Sequence, residues 1–410
     1  MILEFSIENT YSIKERQTIS FEAADDDDDR HVITVGGKKL LKLAAIYGAN
    51  ASGKSNVIKA FNFYIRFILD SFTDLKPHEK ISFKPFFFTE NPDQLSGFFE
   101  IVFYFENTWY KYQIRLNRKM VLNESLSVIE NNDEKIIYHF NLFTNEREYT
   151  EEDEKLLQFV RSNATFLSTA ANLNHTFLGN IYRYLKSLIV SLENIEFLDY
   201  TRDRLYNKQI KMGDINKLIN KAGIDHAYSA IMEDQTIGEK TPPKFITGTM
   251  DKPEKTAQHL TDISYNREEI FFVHTYDKNY VLPFLSESMG TRRFFEIAGP
   301  LLDCIHHKKN MFIDEIESSL HDDLLDFFIR TFLENTKESQ LLFTTHNQTL
   351  LDSELLRNDE IWFVQKDSNG ASGLFSLAEF RDVPENVSRR DLYKAGAFGA
   401  LPRTSRFFKE

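Results

Sequence analysis

One glycine-bounded run, Gly48-Ala49-Asn50-Ala51-Ser52-Gly53-Lys54-Ser55, carries the strongest chemical signal in the chain. Its spacing, G-x-x-x-x-G-K-S, suits a loop whose backbone N–H groups turn inward around a phosphate. Glycines permit that path because they tolerate backbone conformations closed to other residues. A helix starting where the loop ends adds its positive N-terminal end. Lys54 is then placed to reach the β and γ phosphates of a nucleotide, and the Ser55 hydroxyl to ligate Mg²⁺. Asn50, Ala51, Ser52, Gly53 and Asn56 complete the expected nucleotide contacts. Chance gives this pattern in about 1–2% of chains of this length. The competing reading, a glycine turn with an exposed lysine, is weakened further by the strand-like run before it and the helix-like run after it.

Two later segments supply the other groups such a site needs. Asn310-Met311-Phe312-Ile313-Asp314-Glu315 is an apolar run ending in two acids, the form of a Walker B strand. Asp314 is the expected holder of Mg²⁺, and Glu315 the expected carboxylate that polarises the water attacking the γ-phosphate in line. By itself the pair is a weak signal, because many strands end in acids. Gln340-Leu341-Leu342-Phe343-Thr344-Thr345-His346 delivers a histidine at the carboxyl end of a strand, where α/β sheets bind ligands. A lone histidine there is more often structural. Its distance along the chain from Asp314 favours a γ-phosphate contact. The expected catalytic set is Glu315, His346 and Lys54; the expected metal set is Ser55 and Asp314.

The elements that position these residues read as α/β. Residues 40–47 suit one buried strand leading into Gly48, and Val57, Ile58, Phe61, Tyr64, Ile65 and Ile68 recur at helical spacing after it. Alternating apolar residues suggest two N-terminal strands, and residues 98–105 and 109–116 a hairpin around Glu106-Asn107. From Leu122 the texture changes: residues 153–160, 177–189 and 215–221 read as helices, and 210–213 and 238–243 as loops. Residues 310–313, 340–344, 361–364 and 374–377 read as strands, and 293–305 and 324–333 as helices. The expected organisation is a mixed sheet flanked by helices, split by a largely helical insertion: 1–121, 122–270 (the insertion), 271–385, and a tail, 386–410.

Bulk properties exclude several classes. The 410 residues suit two or three domains. A net charge of −13 disfavours a uniformly basic nucleic-acid binder, though not a local basic groove. Asp25 to Asp29 reads as an exposed acidic loop rather than a metal site. The single cysteine, Cys304, allows no intrachain disulfide and reads as a small buried hydrophobe. Neither a signal peptide nor a membrane-length apolar run is present, which leads to the expectation of a cytoplasmic protein. Aromatic residues make up 14% of the chain, an excess without a functional reading at this level.

Together these motifs resemble the ABC-type ATPase heads of the SMC, RecF and OLD group, P-loop NTPases that bind ATP with Mg²⁺. In that group a D-loop follows Walker B, and Ser318-Ser319-Leu320-His321 is similar to it. A signature motif precedes Walker B. Here Leu285-Ser286-Glu287-Ser288-Met289-Gly290-Thr291-Arg292 takes that place, departing from the usual Ser-Gly-Gly-Gln form. The analogy implies that Ser288 and Gly290 touch the γ-phosphate held by a partner subunit, with Ser286 as the alternative serine. Phe83-Lys84-Pro85-Phe86 is the candidate Q-loop, although it contains no glutamine.

A narrower resemblance is to bacterial AAA-family ATPases of phage-defence loci, of the RloA/AbiL type and the ATPase half of PARIS-type systems. It is carried by Ala44-Ala45-Ile46-Tyr47-Gly48-Ala49-Asn50, by residues 288–292 and 313–321, by Phe343-Thr344-Thr345-His346-Asn347, and by Ala395-Gly396-Ala397-Phe398-Gly399-Ala400-Leu401-Pro402. It implies a homodimer, or a higher homo-oligomer of head-to-head dimers, that answers a phage-derived trigger. It also implies a separately encoded effector, a Toprim-type nuclease or toxin, since OLD nucleases carry Toprim after the ATPase and only a few residues follow Pro402 here. The basic, aromatic tail at 389–408 is either a docking segment or a helix folded back on its own head. A DNA-clamping repair ATPase is the alternative; acidity and the lack of a coiled coil count against it. A transporter subunit predicts a shorter chain with a standard signature and Q-loop. No residue distinguishes ATP from GTP.

Overall fold

The computed structural model describes residues 1–24, 28–131, 133–142, 144–191, 194–224, 226–231, 244–245, 268–380 and 387–399. The chain forms two compact units, Met1–Leu192 with Lys309–Ile316 and Lys337–Glu410, and Glu193–Lys308 with Glu317–Thr336. Elements are numbered along the chain.

The first unit holds the expected α/β head. Its parallel sheet runs β11 (Ile189–Ser191), β16 (Met311–Ile313), β17 (Leu341–Thr344), β5 (Leu43–Gly48), β18 (Ile361–Lys366), with β19 (Ser372–Ser376) antiparallel at the edge. Every residue of β5 is buried, as a central strand covered on both faces requires. The run at 40–47 is two strands, not one. β4 (Lys38–Leu41) pairs with β3 (Val32–Val35) in a separate ribbon, and β5 begins after Lys42. Lys42 is the junction: its amide bonds the His31 carbonyl, and its carbonyl accepts from the Leu341 amide.

An antiparallel sheet faces other residues of the same unit, in the order β10 (Glu146–Glu148), β9 (Asp133–Asn141), β8 (Val121–Glu130), β7 (Thr108–Leu116), β6 (Gly97–Phe105), β1 (Ile2–Glu8), β2 (Gln17–Ser20). Helix α1 (Lys54–Asp74) lies between the two sheets. Phe61 stacks on Phe312 of β16 at 4.1 Å between ring centres, while Tyr64 stacks on Phe99 and Tyr112 of the antiparallel sheet. The aromatic excess is thus in large part core: offset and edge-on ring pairs join the layers of this unit. Helices α2 (Glu151–Leu157), α3 (Phe166–Asn172) and α4 (Thr176–Lys186) follow.

The change of texture at Leu122 does not begin a helical segment: β8, β9 and β10 extend the antiparallel sheet. Polar residues hid the strand. Glu124 is fully buried, yet its carboxylate accepts from Tyr112 Oη (2.9 Å), Tyr138 Oη (2.8 Å) and the amides of Phe166 (2.7 Å) and Leu167 (3.0 Å). It closes the start of α3 onto the sheet. Desolvation raises its pKa above the ordinary 4.5, against those four donors.

The second unit contains α5 (Asn194–Tyr206), α6 (Met212–Lys221), β12 (His226–Ile231), β13 (Lys244–Phe245), β14 (Glu268–Thr275), β15 (Asn279–Pro283), α7 (Met289–His307) and α8 (Asp322–Asn335). Its four strands form the sheet β13-β12-β14-β15, so this part is not helical throughout. Part of the loop expected at 210–213 is the first turn of α6; the loop at 238–243 lies outside the described residues. Cys304 is buried on α7, as expected. In the first unit α9 (Arg389–Lys394) packs on its own head: Arg389 bonds the carbonyls of Ser353 and Leu356, and Tyr393 and Phe398 stack on Phe363. Residues 400–410 of the tail, like Asp25–Asp27 of the acidic run, lie outside the described residues. Among the described residues no helix is long and apolar enough to cross a membrane.

Candidate functional site

Three adjacent parallel strands of the first unit end on one side with the motif residues. β5 leads into the glycine loop, β17 into Thr345-His346, and β16 into Asp314-Glu315, with β17 between the other two. Parallel pairing in register brings residues more than two hundred positions apart in sequence to one edge, where α/β sheets bind ligands.

The loop is built for a close approach. A Cβ at Gly48 would stand 2.5 Å from the Val364 carbonyl and 2.6 Å from Ser52 Oγ. Gly53 has φ 112°, and a Cβ there would fall on the hydroxyls of Ser372 and Ser12. Ala51 is also left-handed, at φ 63°. Lys54 is buried, and its ammonium donates to the carbonyls of Gly48 (2.8 Å) and Ala49 (3.0 Å). Ser52 Oγ is buried with no hydrogen-bond partner among the described residues. Among those residues no backbone acceptor takes the amides of Asn50, Ala51 or Gly53.

Thr344 sets the acidic turn. Its hydroxyl donates to Asp314 Oδ1 (2.6 Å) and accepts from the Glu315 amide (2.8 Å), and its carbonyl accepts from the Ile316 amide (3.1 Å). Glu315 is held at φ 49°, a left-handed conformation that costs a non-glycine residue about 1–3 kcal/mol. A cavity of about 790 Å³ is lined by Asn50, Ala51, Gly53, Lys54, Ser55, Asn56, Glu315 and His346, and by Lys366 from the end of β18. This donor set fits a magnesium nucleotide: a cradle that a side chain would fill, an unpartnered buried hydroxyl, an ammonium, the Ser55 hydroxyl and the Glu315 carboxylate; Asp314, next in the chain, is not among the residues lining the cavity.

In the second unit, Ser288 caps α7. Its Oγ accepts from the Thr291 amide (3.1 Å) and shares a 2.9 Å hydrogen bond with Thr291 Oγ1. Ser286 lies in the turn before the helix and has no capping role. A Cβ at Gly290 would meet the Ser319 carbonyl at 3.1 Å, so the signature-like turn and the Ser318–Ser319 turn abut. His321 caps α8. The Phe83–Phe86 segment does not line the cavity: Phe83 and Phe86 are buried, and the Lys84 carbonyl accepts from Tyr11 and Thr10.

Sequence reasoning did not single out Thr344, Lys366, Ser12 or Ser372. Thr344 sits inside the histidine-strand motif, and a hydroxyl at the end of an otherwise apolar strand is its available signal. Ser12 and Ser372 stand 360 positions apart and carry none.

Comparison with curated proteins finds no match. Solved structures with similarity include the SMC head domain from Thermotoga maritima, 16% identical, TM-score 0.45, covering 92% of this chain and 98% of that one. An SMC head bound to the C-terminal winged-helix domain of ScpA is 14% identical, TM-score 0.43, covering 92% and 97%. An SMC head with an extended coiled coil, bound to the C-terminal domain of ScpA derived from Pyrococcus furiosus, is 13% identical, TM-score 0.43, covering 97% and 98%. A family model matches residues 43–352, from the first residue of β5 to beyond the histidine strand, and the chain therefore belongs to the family described as AAA domain, putative AbiEii toxin, Type IV TA system.

Proposed function

We propose that the protein is an ATPase of the ABC type that binds Mg-ATP at this cavity and hydrolyses it. The observation that carries the reading is the convergence of Lys54, Ser55, Glu315 and His346 on one cavity from three neighbouring strand ends. Lys54 neutralises the β and γ phosphates, and the inward amides of the loop bind their oxygens. Glu315 orients the attacking water and draws its proton; His346 supports the γ-phosphate from the adjacent strand. Bound Mg²⁺, held by Ser55 and Asp314, would neutralise charge developing on the β and γ oxygens. Ser288 and Gly290, at the start of α7, are the residues proposed to reach the γ-phosphate of a second subunit in a head-to-head dimer. ATP shared between two heads is a two-state element, because each γ-phosphate is contacted from both sides.

The cellular role proposed is a sensor or regulator in antiviral defence that controls a separately encoded nuclease or toxin. The family description, with its toxin and toxin–antitoxin terms, supports that role over DNA clamping. The first test is Mg-dependent phosphate release by wild type and Lys54→Ala; equal rates would sink the ATPase reading. The second is a pulldown of wild type and Glu315→Gln from the native host with and without phage. A small neighbouring protein that co-purifies and is lost on infection supports the defence role. DNA or repair proteins in both states would replace it with the clamp.

A further inference from the structure

A chain of hydroxyls ties the glycine loop to the turn at Ser12 and to Ser372, the first residue of β19. Asn56 Nδ2 donates to Ser12 Oγ at 2.7 Å. Ser12 Oγ and Ser372 Oγ are 2.7 Å apart, and Ser372 Oγ is 2.5 Å from the Ser52 carbonyl. Counting protons fixes the direction. The Ser52 carbonyl can only accept, so Ser372 donates its one hydrogen there. Ser12 must then donate to Ser372, which leaves the Ser12 oxygen to accept from the Asn56 amide. The backbone locks the same pair, since the Ser372 amide donates to the Ser12 carbonyl at 2.7 Å. Ser12 and Ser372 are both buried.

The target of this chain is one peptide of the phosphate loop. In a trans peptide the carbonyl of Ser52 and the N–H of Gly53 point in opposite directions. Among the described residues no peptide is cis. Pinning the Ser52 carbonyl toward Ser372 therefore turns the Gly53 amide the other way. Gly53 lines the cavity, and among the described residues no backbone acceptor takes its N–H. The two serines also occupy the space a Cβ on Gly53 would need.

We infer that Ser372, backed by Ser12, is a positioning residue that aims the Gly53 N–H at a phosphate oxygen of the bound nucleotide. The inference rests on the nucleotide-site reading above and adds to it the group that pre-sets one cradle donor. Pre-setting matters because a loop peptide that flips must be reordered on binding, and affinity falls by the fraction of time it points away. Neither serine touches the reacting atoms, so the effect falls on binding and not on the chemical step.

Titration of Mg-ATP by calorimetry and steady-state phosphate release test this on the full chain, with wild type, Lys54→Ala, Ser372→Ala, Ser12→Ala, the double serine variant and Ser372→Thr. Loss of one hydrogen bond of this kind corresponds to about a tenfold rise in Kd and KM for Ser372→Ala, with kcat within about twofold. Ser12→Ala should weaken binding less, and the double variant no more than Ser372→Ala, because Ser12 acts through Ser372. Ser372→Thr keeps the hydroxyl and should restore affinity. Wild-type affinity in Ser372→Ala overturns the inference. So does a parallel fall of kcat and thermal stability with KM unchanged, which would make Ser372 a strut. Absence of Lys54-dependent binding in the wild type itself is a different result: it removes the nucleotide site, and the inference with it.

Discussion

Replacing Thr344 with valine removes one hydroxyl and almost no volume, and it should separate hydrolysis from binding. The Thr344 hydroxyl holds Asp314 Oδ1 at 2.6 Å and receives the Glu315 amide at 2.8 Å. A hydrogen bond to a charged group contributes about 1.5–3 kcal/mol. Glu315 sits at φ 49°, and that conformation persists only while its surroundings over-determine it. Without the hydroxyl the amide loses its acceptor, and the turn relaxes toward negative φ, carrying the carboxylate away from the attacking water. If the lost bond is what maintains the geometry, about 1.5–3 kcal/mol converts to a fall in kcat of about 10- to 150-fold. Affinity should change less than kcat, since the hydrogen bonds of the Thr344 hydroxyl go to Asp314 and Glu315 and none to the glycine loop or Lys54. Thermal stability should fall by less than that figure, because water can replace the bond at the half-buried Asp314 and the relaxed turn sheds its left-handed strain. The assay is steady-state phosphate release with Mg-ATP affinity and thermal unfolding on the same preparations; Thr344→Ser should recover the rate. A Thr344→Val enzyme with kcat within twofold of wild type would refute the reasoning, and would mean that the turn is fixed elsewhere.

Lys54→Ala should abolish measurable Mg-ATP binding, as calorimetry would show, because the ammonium is the buried positive charge of the loop. Glu315→Gln should bind ATP with wild-type affinity while turnover falls by about a hundredfold or more, and light scattering should find dimer accumulating with ATP. Gly53→Ala should lose nucleotide binding and cost about 1–3 kcal/mol of stability in urea unfolding, from φ 112° and the collision with Ser372 and Ser12. For Glu124 the sign of the pH effect follows from its raised folded-state pKa. Between the ordinary 4.5 and that value the folded chain binds the extra proton, so this residue's contribution falls as pH rises through the window and is flat above it. The stability difference between wild type and Glu124→Gln, measured by urea unfolding across that range, should decline with rising pH; a rising difference would reverse the assignment.

Local signals carried the glycine loop, the paired acids and the histidine strand, because each is a short apolar run ending in a chemically distinctive residue; the order of the strands came only with the fold. Two of the differences share one cause, polar residues doing buried structural tasks. Glu124, Ser125 and Ser127 made β8 read as the edge of a helical insertion, although four donors satisfy the buried Glu124 carboxylate. Lys42 sits at 5% exposure and divides what read as one strand, because its backbone serves two sheets at once. The positioning residues were hidden for a related reason. Thr344 bonds to the acidic turn 30 positions earlier, and Ser372 to Ser52, 320 positions earlier. Periodicity and motif spacing report on neighbours along the chain, whereas these contacts exist only once the parallel register of β16, β17, β5 and β18 is set. The motif residues that converge on the cavity are therefore readable from sequence, while the residues hydrogen-bonded behind them become visible through the fold.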